Sequence, residues 1–584
     1  MCGIIGCNFK TYNFNEAIIN LKYRGPDNLG FYEYKNNQFG HTRLSIIDLN
    51  EEANQPMIFD DLIITFNGEI YNYQELIKAE NLKCITKSDT EVLIRLYQKY
   101  EQNFLNKLNG MFAFCIYDKR KDSFFCSRDR FGKKPFYYYF KDAKFIYSSE
   151  IKSILKLLNT IPSMNRNAFY EYLTFMTPIN DNTFYEDIKK LKAGHYIIYD
   201  NKSLKIEKYY DICDIQTTYS NEKEVLENVE ALLINSVKKR LVSDVEVATL
   251  LSGGIDSSLI SALYSQYSNK QINTFCIGYD EHTHYSELPH ARIAANHIKS
   301  NHRELIIGKK EFIETIDTML DHTDEPFADS AAIPTYLLSQ FIHKQGIKVA
   351  LSGEGSDESF LGYDNYFKIL QYYQKGGKNL PFSLTKEWEY EQRAYLGKPI
   401  YQTCGETFTE NQKAKLLHNY KEKDLITNYI AYNDSPTKWL TYIDFKIWVA
   451  EVLMTKIDRM SMANSLELRA PFLDHQIVEY MLSVNDTIKQ GNTNKFLLKK
   501  VAIKYLPTEI VNRQKKGFSF PFIEWLYDEY KDEILNTILK ANKLLNIFNE
   551  DFVKLIYNEA KEKRFKQHIW CLFIFARWLR KVYV

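Results

Sequence analysis

The chain is poor in cysteine, with nine in 584 residues, an odd number without a framework spacing. A disulfide scaffold is excluded on that basis, and reduced thiols are expected. Cys2 and Cys7 are spaced like a metal pair or a bridge, but no matching pair follows them. Net charge is equally scarce: 75 Lys and Arg against 74 Asp and Glu leave +1, with no basic run or acidic tail. That balance excludes a general nucleic-acid or membrane-surface binder. The amino terminus has no basic stretch leading into an apolar one, so no secretory signal is expected. The apolar run from Trp570 to Ala576 is far short of the roughly 20 residues that cross a membrane. With Trp578 it reads as a core helix. A cytoplasmic protein with no membrane and no nucleic-acid partner is expected. Internal repeats and low-complexity tracts are missing. So is any Gly-x4-Gly-Lys-Ser/Thr loop, which argues against an NTPase that transfers a γ-phosphate.

What is present divides into two textures. Hydrophobic residues make up 45% of the chain and aromatic ones 15%, enough for large cores. Residues 1 to about 205 read as short alternating strands broken by turns, such as Leu62 to Phe66 before Asn67-Gly68, and Met111 to Tyr117 before Asp118-Lys119. Ser123 to Arg128, Phe136 to Phe140, Phe145 to Ser148 and His195 to Tyr199 continue the pattern, with Glu91 to Tyr100 as a helix. From residue 222 helical stretches (Glu222 to Leu241, Ser257 to Ser268, Leu288 to Lys299, Ala332 to Lys344) alternate with short strands. The strands are Val245 to Leu251, Thr274 to Gly278 and Lys348 to Leu351, a pattern that predicts a parallel sheet with crossover helices. After Leu361 the chain reads as mainly helical, and about 365–435 is polar and mixed.

Cys2 carries the most chemical information. Removal of Met1 would leave an N-terminal cysteine whose α-amine, with an ordinary pKa of roughly 7.7–8.0, could deprotonate its own thiol. Nucleophile and general base then come from one residue. In the second half, Ser252-Gly253-Gly254-Ile255-Asp256-Ser257-Ser258 follows a strand and opens a helix. Glycines admit an anion close to the backbone, and the helix start offers unpaired N–H groups. Asp256 is out of place in a purely anion-binding loop unless a cation is present, and reads as a Mg²⁺ ligand. A second string, Ser352-Gly353-Glu354-Gly355-Ser356-Asp357-Glu358, follows another strand. Turns at the carboxyl ends of neighbouring parallel strands converge, so Asp357 joins Asp256 at the metal and Ser352-Gly353 meets the nucleotide. His282-Thr283-His284 is a weaker metal candidate.

Met1 to Gly6, Arg24-Gly25-Pro26-Asp27, His41 to Ile46, Asn67 to Asn72 and Ser88 to Glu91 stand in the order and spacing of the glutaminase domain of glutamine-dependent asparagine synthetases, which this series resembles. Asp324 to Asp329, Lys456 to Ala463, Ser465 to His475 and Gly491 to Leu498 extend the resemblance through the second half. The Ser252 to Ser258 string resembles the pyrophosphate loop of enzymes that split ATP into AMP and pyrophosphate. The resemblance implies two domains. The first, 1–205, would be an α+β Ntn-hydrolase αββα sandwich, a type 2 glutamine amidotransferase. The second, 222–584, would be an α/β, Rossmann-like ATP-pyrophosphatase domain with a helical C-terminal extension. It implies that Cys2 attacks the glutamine side-chain amide while Asn67 and Gly68 stabilise the oxyanion. Arg43 would hold the glutamine α-carboxylate and Asp89 its α-ammonium, with Leu44, Ser45, Ile46, Ile47 and Glu69 completing the pocket. Leu251, Ser252, Gly253, Gly254, Asp256, Ser257, Ser258, Ile277, Ser352 and Gly353 would line ATP, and Mg²⁺ would sit on Asp256 and Asp357. Glu354 and Lys495 match positions tied to adenylate formation and its breakdown by ammonia.

The implied function is ATP-driven amidation of aspartate to asparagine through an acyl-adenylate, with ammonia from glutamine; a homodimer is compatible with it. The alternative is the same chemistry on another carboxylate, such as a uronic acid in surface-polysaccharide synthesis. A glutaminase whose second half only senses nucleotide would be expected to lack Asp256, Asp357 or Lys495, and all three are present. Departures from the family pattern are Glu246, Ala248, Ser127, Phe136 and Leu361. Only Leu361 adds bulk beside the second phosphate string.

Overall fold

A computed structural model of the chain describes residues 2–584 apart from 201–202, 214, 402–405, 424, 427–428, 430–431, 433–434, 515–519 and 563. The amino-terminal half holds two six-stranded antiparallel sheets. The first runs Ile188–Lys190, Tyr137–Lys141, Lys144–Ser148, Gly3–Cys7, Asn37–Arg43, Asn28–Tyr34. The second runs Leu204–Lys208, His195–Tyr199, Ser123–Arg128, Gly110–Asp118, Leu62–Ile70, Met57–Phe59.

Side-chain alternation along each strand sends successive residues to opposite faces. Ile63 thus meets Ile4, Phe39 and Tyr147 in a core between the sheets. Its neighbours Leu62, Ile64 and Phe66 meet Val92, Leu93 and Leu96 of helix Asp89–Tyr100 on the outer face. On the other side, Ile5 and Cys7 pack with Phe14, Ile18 and Ile154 from helices Phe14–Ile19 and Ile151–Leu158. Met111 to Tyr117 is a continuous apolar run because both of its faces are covered.

The second half is built on five parallel strands in the order Asn301–Ile307, Asn273–Tyr279, Val247–Leu250, Val349–Leu351, Glu467–Arg469. Numbered along the chain this is 3-2-1-4-5, so the strand order reverses between Val247–Leu250 and Val349–Leu351. Ligands of open α/β sheets bind at such a reversal, beyond the carboxyl ends of the strands. The expected strands and crossover helices appear within two residues of the expected limits. Two strands escape sequence reading for physical reasons. Asn301–Ile307 is a polar edge, and Glu467–Arg469 is three residues long with its two charges buried against each other. Leu361 takes φ +52°, the left-handed region that glycine enters freely, at a cost of about 1–2 kcal/mol for another residue.

The mixed stretch after Leu361 contains helices Asp364–Lys375, Lys386–Tyr395 and Glu410–Leu416. The terminal helix Lys566–Tyr583 buries Trp570 and Trp578, as a core helix should. Among the described residues no helix is long and apolar enough to cross a membrane.

The two halves are joined by buried charge. Arg24 pairs with Glu150 at 3.0 Å and with Asp458 of the second half at 2.8 Å; Lys134 reaches Asp458 at 3.2 Å, and Arg459 reaches Glu150 at 2.9 Å. Removing one partner of such a buried pair costs about 3–5 kcal/mol, because an uncompensated charge is left behind. The interface therefore holds the two halves in a defined relation.

Candidate active site

Cys2 immediately precedes strand Gly3–Cys7, an inner strand of the first sheet, and is buried. Its backbone nitrogen, which would become the free amine, donates to Asn67 Oδ1 at 3.1 Å, and its carbonyl accepts from Arg24 Nε at 3.1 Å. Burial pushes the thiol above its ordinary value, partly offset by the positive chain terminus, a backbone contact at Leu44, and Arg43.

Asn67 Nδ2 is buried and has no hydrogen-bond partner, as a donor kept for an absent oxyanion would be. A Cβ on Gly68 would lie 2.1 Å from Met111 O, so the neighbouring strand requires glycine there. Around this pair lie Glu69, Asp89, Glu467 and Arg469. Asp89 opens its helix behind a Ser88 cap and accepts from Ile70 N–H at 2.9 Å. Burial pushes its carboxyl up to about 7 and raises that of Glu69 as well. Three carboxyl groups here face one guanidinium and the positive chain terminus, and mutual repulsion adds to burial in raising the Glu69 carboxyl.

The loop after Arg43 forms the rim. Arg43 donates to Asn50 O at 2.9 Å, Asn54 Oδ1 at 2.8 Å, Ile47 O at 3.3 Å and Asp48 O. Its guanidinium thus shapes the rim from inside. Ser45 N–H donates to Asp27 at 2.7 Å, Leu44 is buried, and Ile46 O accepts from Asp244 N–H of the second half at 2.9 Å.

The nucleotide strings meet where the strand order reverses. Leu251 N–H donates to Phe275 O at 2.8 Å, and Ile277 is buried on the adjacent strand. Gly253 turns at φ +71° beside His290, where a Cβ would come within 2.3 Å of backbone, and Gly254 caps helix Ile255–Tyr267. Ser252 Oγ and Ser257 Oγ are 3.0 Å apart, while the hydroxyls of Ser258 and Ser352 are buried without partners. Gly353 lies against Asp256 and Ser257, where a Cβ would be 3.0 Å from each.

Lys495 Nζ is 2.5 Å from Asp256 Oδ2 and 2.7 Å from Asp357 Oδ1. Burial alone would lower the Lys495 pKa, but the two carboxylates hold it above its ordinary value. Burial raises the Glu354 carboxyl, with Lys456 opposing, and Lys456 pairs with Asp329 at 3.2 Å.

Lys495, Asp256, Asp357, Ser356 and Gly353 are brought together at the sheet reversal, and Cys2 and Asn67 at the start of the first half. Among the described residues no group of three or more His, Cys, Asp or Glu is arranged to hold a metal, His282 and His284 included. The described cysteines, Cys2 and Cys7 among them, are free thiols. Sequence reading gave no role to Arg24, Asp458 or Arg469, although each lies in a string that carries the family resemblance. Only their burial marks them out.

A family model described as asparagine synthase matches residues 228–580, and one described as a glutamine amidotransferase domain matches residues 1–210. Asparagine synthetase (glutamine-hydrolyzing) 1 of Bacillus subtilis is 31% identical over 99% of this chain and 96% of its own length. Asparagine synthetase (glutamine-hydrolyzing) 3 of the same organism is 29% identical over 93% and 92%. The amidase chyE of Penicillium rubens is 27% identical over 89% and 86%. With the first model spanning more than half of its length and a relative aligned nearly end to end, the chain belongs to the asparagine synthase family of glutamine-hydrolysing, ATP-dependent ligases.

Proposed function

We propose that the chain makes asparagine from aspartate, glutamine and ATP, with AMP and pyrophosphate as products. The observation that carries this reading is the Lys495 ammonium held between Asp256 and Asp357, beside Ser352-Gly353 at the reversal of the parallel sheet. In the amidotransferase half, an αββα Ntn-hydrolase sandwich on this reading, the Cys2 amine takes the thiol proton and the sulfur attacks the glutamine carboxamide. Asn67 Nδ2 and Gly68 N–H receive the oxyanion, and ammonia leaves. Asp89 and Glu69 face the α-ammonium, and the Leu44 to Ile47 rim faces the α-carboxylate, with Arg43 bracing that rim through its bonds to Ile47, Asp48, Asn50 and Asn54.

In the second half, the pyrophosphate loop formed by Ser252 to Ser258 takes the triphosphate. The aspartate side-chain carboxylate attacks the α-phosphorus and pyrophosphate leaves; ammonia then attacks the acyl carbon and AMP leaves. Lys495 balances charge as each leaving group departs, and Glu354 accepts the proton shed by ammonia. Asp256 and Asp357 both pair with the Lys495 ammonium in this structure, and two neighbouring carboxylates would suit Mg²⁺, since that ion uses one or two carboxylates together with phosphate oxygens. When bound, it would neutralise phosphate charge. The domain limits proposed are 1–205 and 222–584.

The glutamine pocket has a pH consequence. Asp89 binds an ammonium only when ionised, and burial places its pKa at about 7 in the free enzyme. Raising the pH from about 6 to 8 is therefore expected to lower the KM for glutamine and then level off. A glutamine KM that is flat or rising over that interval would refute the assignment.

An acceptor screen tests the function itself. With ATP and Mg²⁺ supplied, aspartate is expected to stimulate pyrophosphate release, and added glutamine should yield asparagine in comparable amount. A site whose buried polar groups are built for one acid leaves them unpaired with another, which can cost about 10⁴–10⁵ in specificity. Stimulation by a uronic acid and not by aspartate would replace the acceptor and leave the ligase class intact.

A further inference from the structure

We propose that Arg469 is a positioning residue that couples glutamine binding in the amidotransferase half to the nucleotide loop of the synthetase half. The inference rests on the glutamine pocket described above and is independent of which acid is the acceptor.

Arg469 closes the edge strand Glu467–Arg469, in parallel register with Leu351. Its carbonyl accepts from Ser352 N–H at 2.8 Å, so its backbone anchors the start of the second phosphate string. Its side chain runs the other way. Nη1 donates to the carbonyls of Arg240 and Val242 at 2.8 and 2.7 Å, and Nε donates to Glu467 Oε1 at 2.5 Å. The remaining nitrogen, Nη2, points across the interface to Glu69 Oε1 at 3.6 Å.

That last contact is not closed. Nη2 and Glu69 Oε2 are both buried, and neither has a hydrogen-bond partner. A purely structural ion pair in such surroundings would be drawn into hydrogen-bonding distance, because an unmet buried polar group is costly. Glu69 Oε2 and Asn67 Nδ2, an acceptor and a donor two residues apart on strand Leu62–Ile70, are the unmet groups that a ligand can complete. An α-ammonium docked among Glu69 and Asp89 supplies positive charge, and Glu69 then has a ligand partner in addition to the guanidinium. The three fixed donors make Arg469 stiff, so a shift felt at Nη2 is passed to the strand whose end holds Ser352. Coupling of this kind must be reciprocal: ATP and acceptor tighten glutamine as much as glutamine tightens ATP.

The test compares wild type, Arg469→Met and Arg469→Lys in the full chain. Glutaminase KM is measured with and without ATP, Mg²⁺ and an acceptor that drives pyrophosphate release. In wild type the nucleotide and acceptor are expected to lower the glutamine KM by about fivefold or more. In Arg469→Met the glutamine KM should rise by about fivefold or more, the scale of a coupling between sites, because Glu69 loses the guanidinium that faces it, and the response to nucleotide should vanish. Synthesis from free ammonia should persist, because the backbone carbonyl that holds Ser352 is retained. Arg469→Lys keeps the charge without the fork, and should recover part of the KM while responding less than wild type.

A merely structural role would instead depress ammonia- and glutamine-dependent synthesis together, and that result would overturn the proposal. So would a wild type with no response to nucleotide, or an Arg469→Met variant with the full response. If Arg469→Met does not fold, as a melting curve would show, Arg469→Lys decides by the same comparison. A wild type that hydrolyses no glutamine would instead refute the pocket assignment on which this rests.

Discussion

Cys2→Ala is expected to abolish asparagine formation from glutamine and to leave formation from free ammonia unchanged. On the proposed mechanism the sulfur is the atom that bonds to the glutamine carbonyl carbon. Losing an attacking nucleophile removes the covalent route altogether, so glutaminase activity should fall by a factor of about 10³ or more. The synthetase half depends on Cys2 only for ammonia, and ammonia in solution replaces that supply. The Cys2 carbonyl still accepts from Arg24 in the variant, so the buried charge cluster that joins the halves survives. Two results would sink the assignment. One is glutaminase activity in Cys2→Ala. The other is an intact mass showing that the active wild-type chain still carries Met1, since the amine would then be tied up in a peptide bond.

The opposite dissociation is expected from Asp256→Asn. The substitution keeps size and removes one of two charges that hold the buried Lys495 ammonium. Ser356 Oγ also donates to Asp256 Oδ1 at 2.7 Å, so the carboxylate fixes both its own loop and the second phosphate string. Pyrophosphate release should drop by about 10²–10³, the scale of losing one charge-stabilising group in a dry site. Glutaminase activity should persist, because the other cluster contains none of these residues. Lys495→Met should behave in the same way. Wild-type turnover that yields ADP and phosphate would refute the pyrophosphate-loop reading outright, because the bond broken would be a different one.

Much of this was legible from the residues. The apolar segments Leu62 to Phe66 and Met111 to Tyr117 announced strands, since a covered sheet demands apolar side chains on both faces. The turn expected at Asn67-Gly68, however, is part of a strand that runs unbroken from Leu62 to Ile70. The strand–turn–helix around Ser252 to Ser258 was legible too, because its glycines fall between an apolar strand and a helical run. The mixed region near 365–435 stayed opaque. Its short helices are stabilised by packing against distant segments, a contribution that local propensity does not record.

Sequence by itself determined the family: the strings around Cys2, Asn67, Ser252 and Ser352 stand in an order that marks it. Local composition carries that information, because each motif needs particular groups within a few residues. Tertiary structure decided what stands between the two sites. Arg24 and Asp458 are 434 positions apart yet form one buried pair, and the Arg469 guanidinium faces Glu69 from the other half of the chain. No local pattern specifies such pairings, because a buried charge is tolerated only where folding supplies its counter-charge, and that partner comes from anywhere in the sequence.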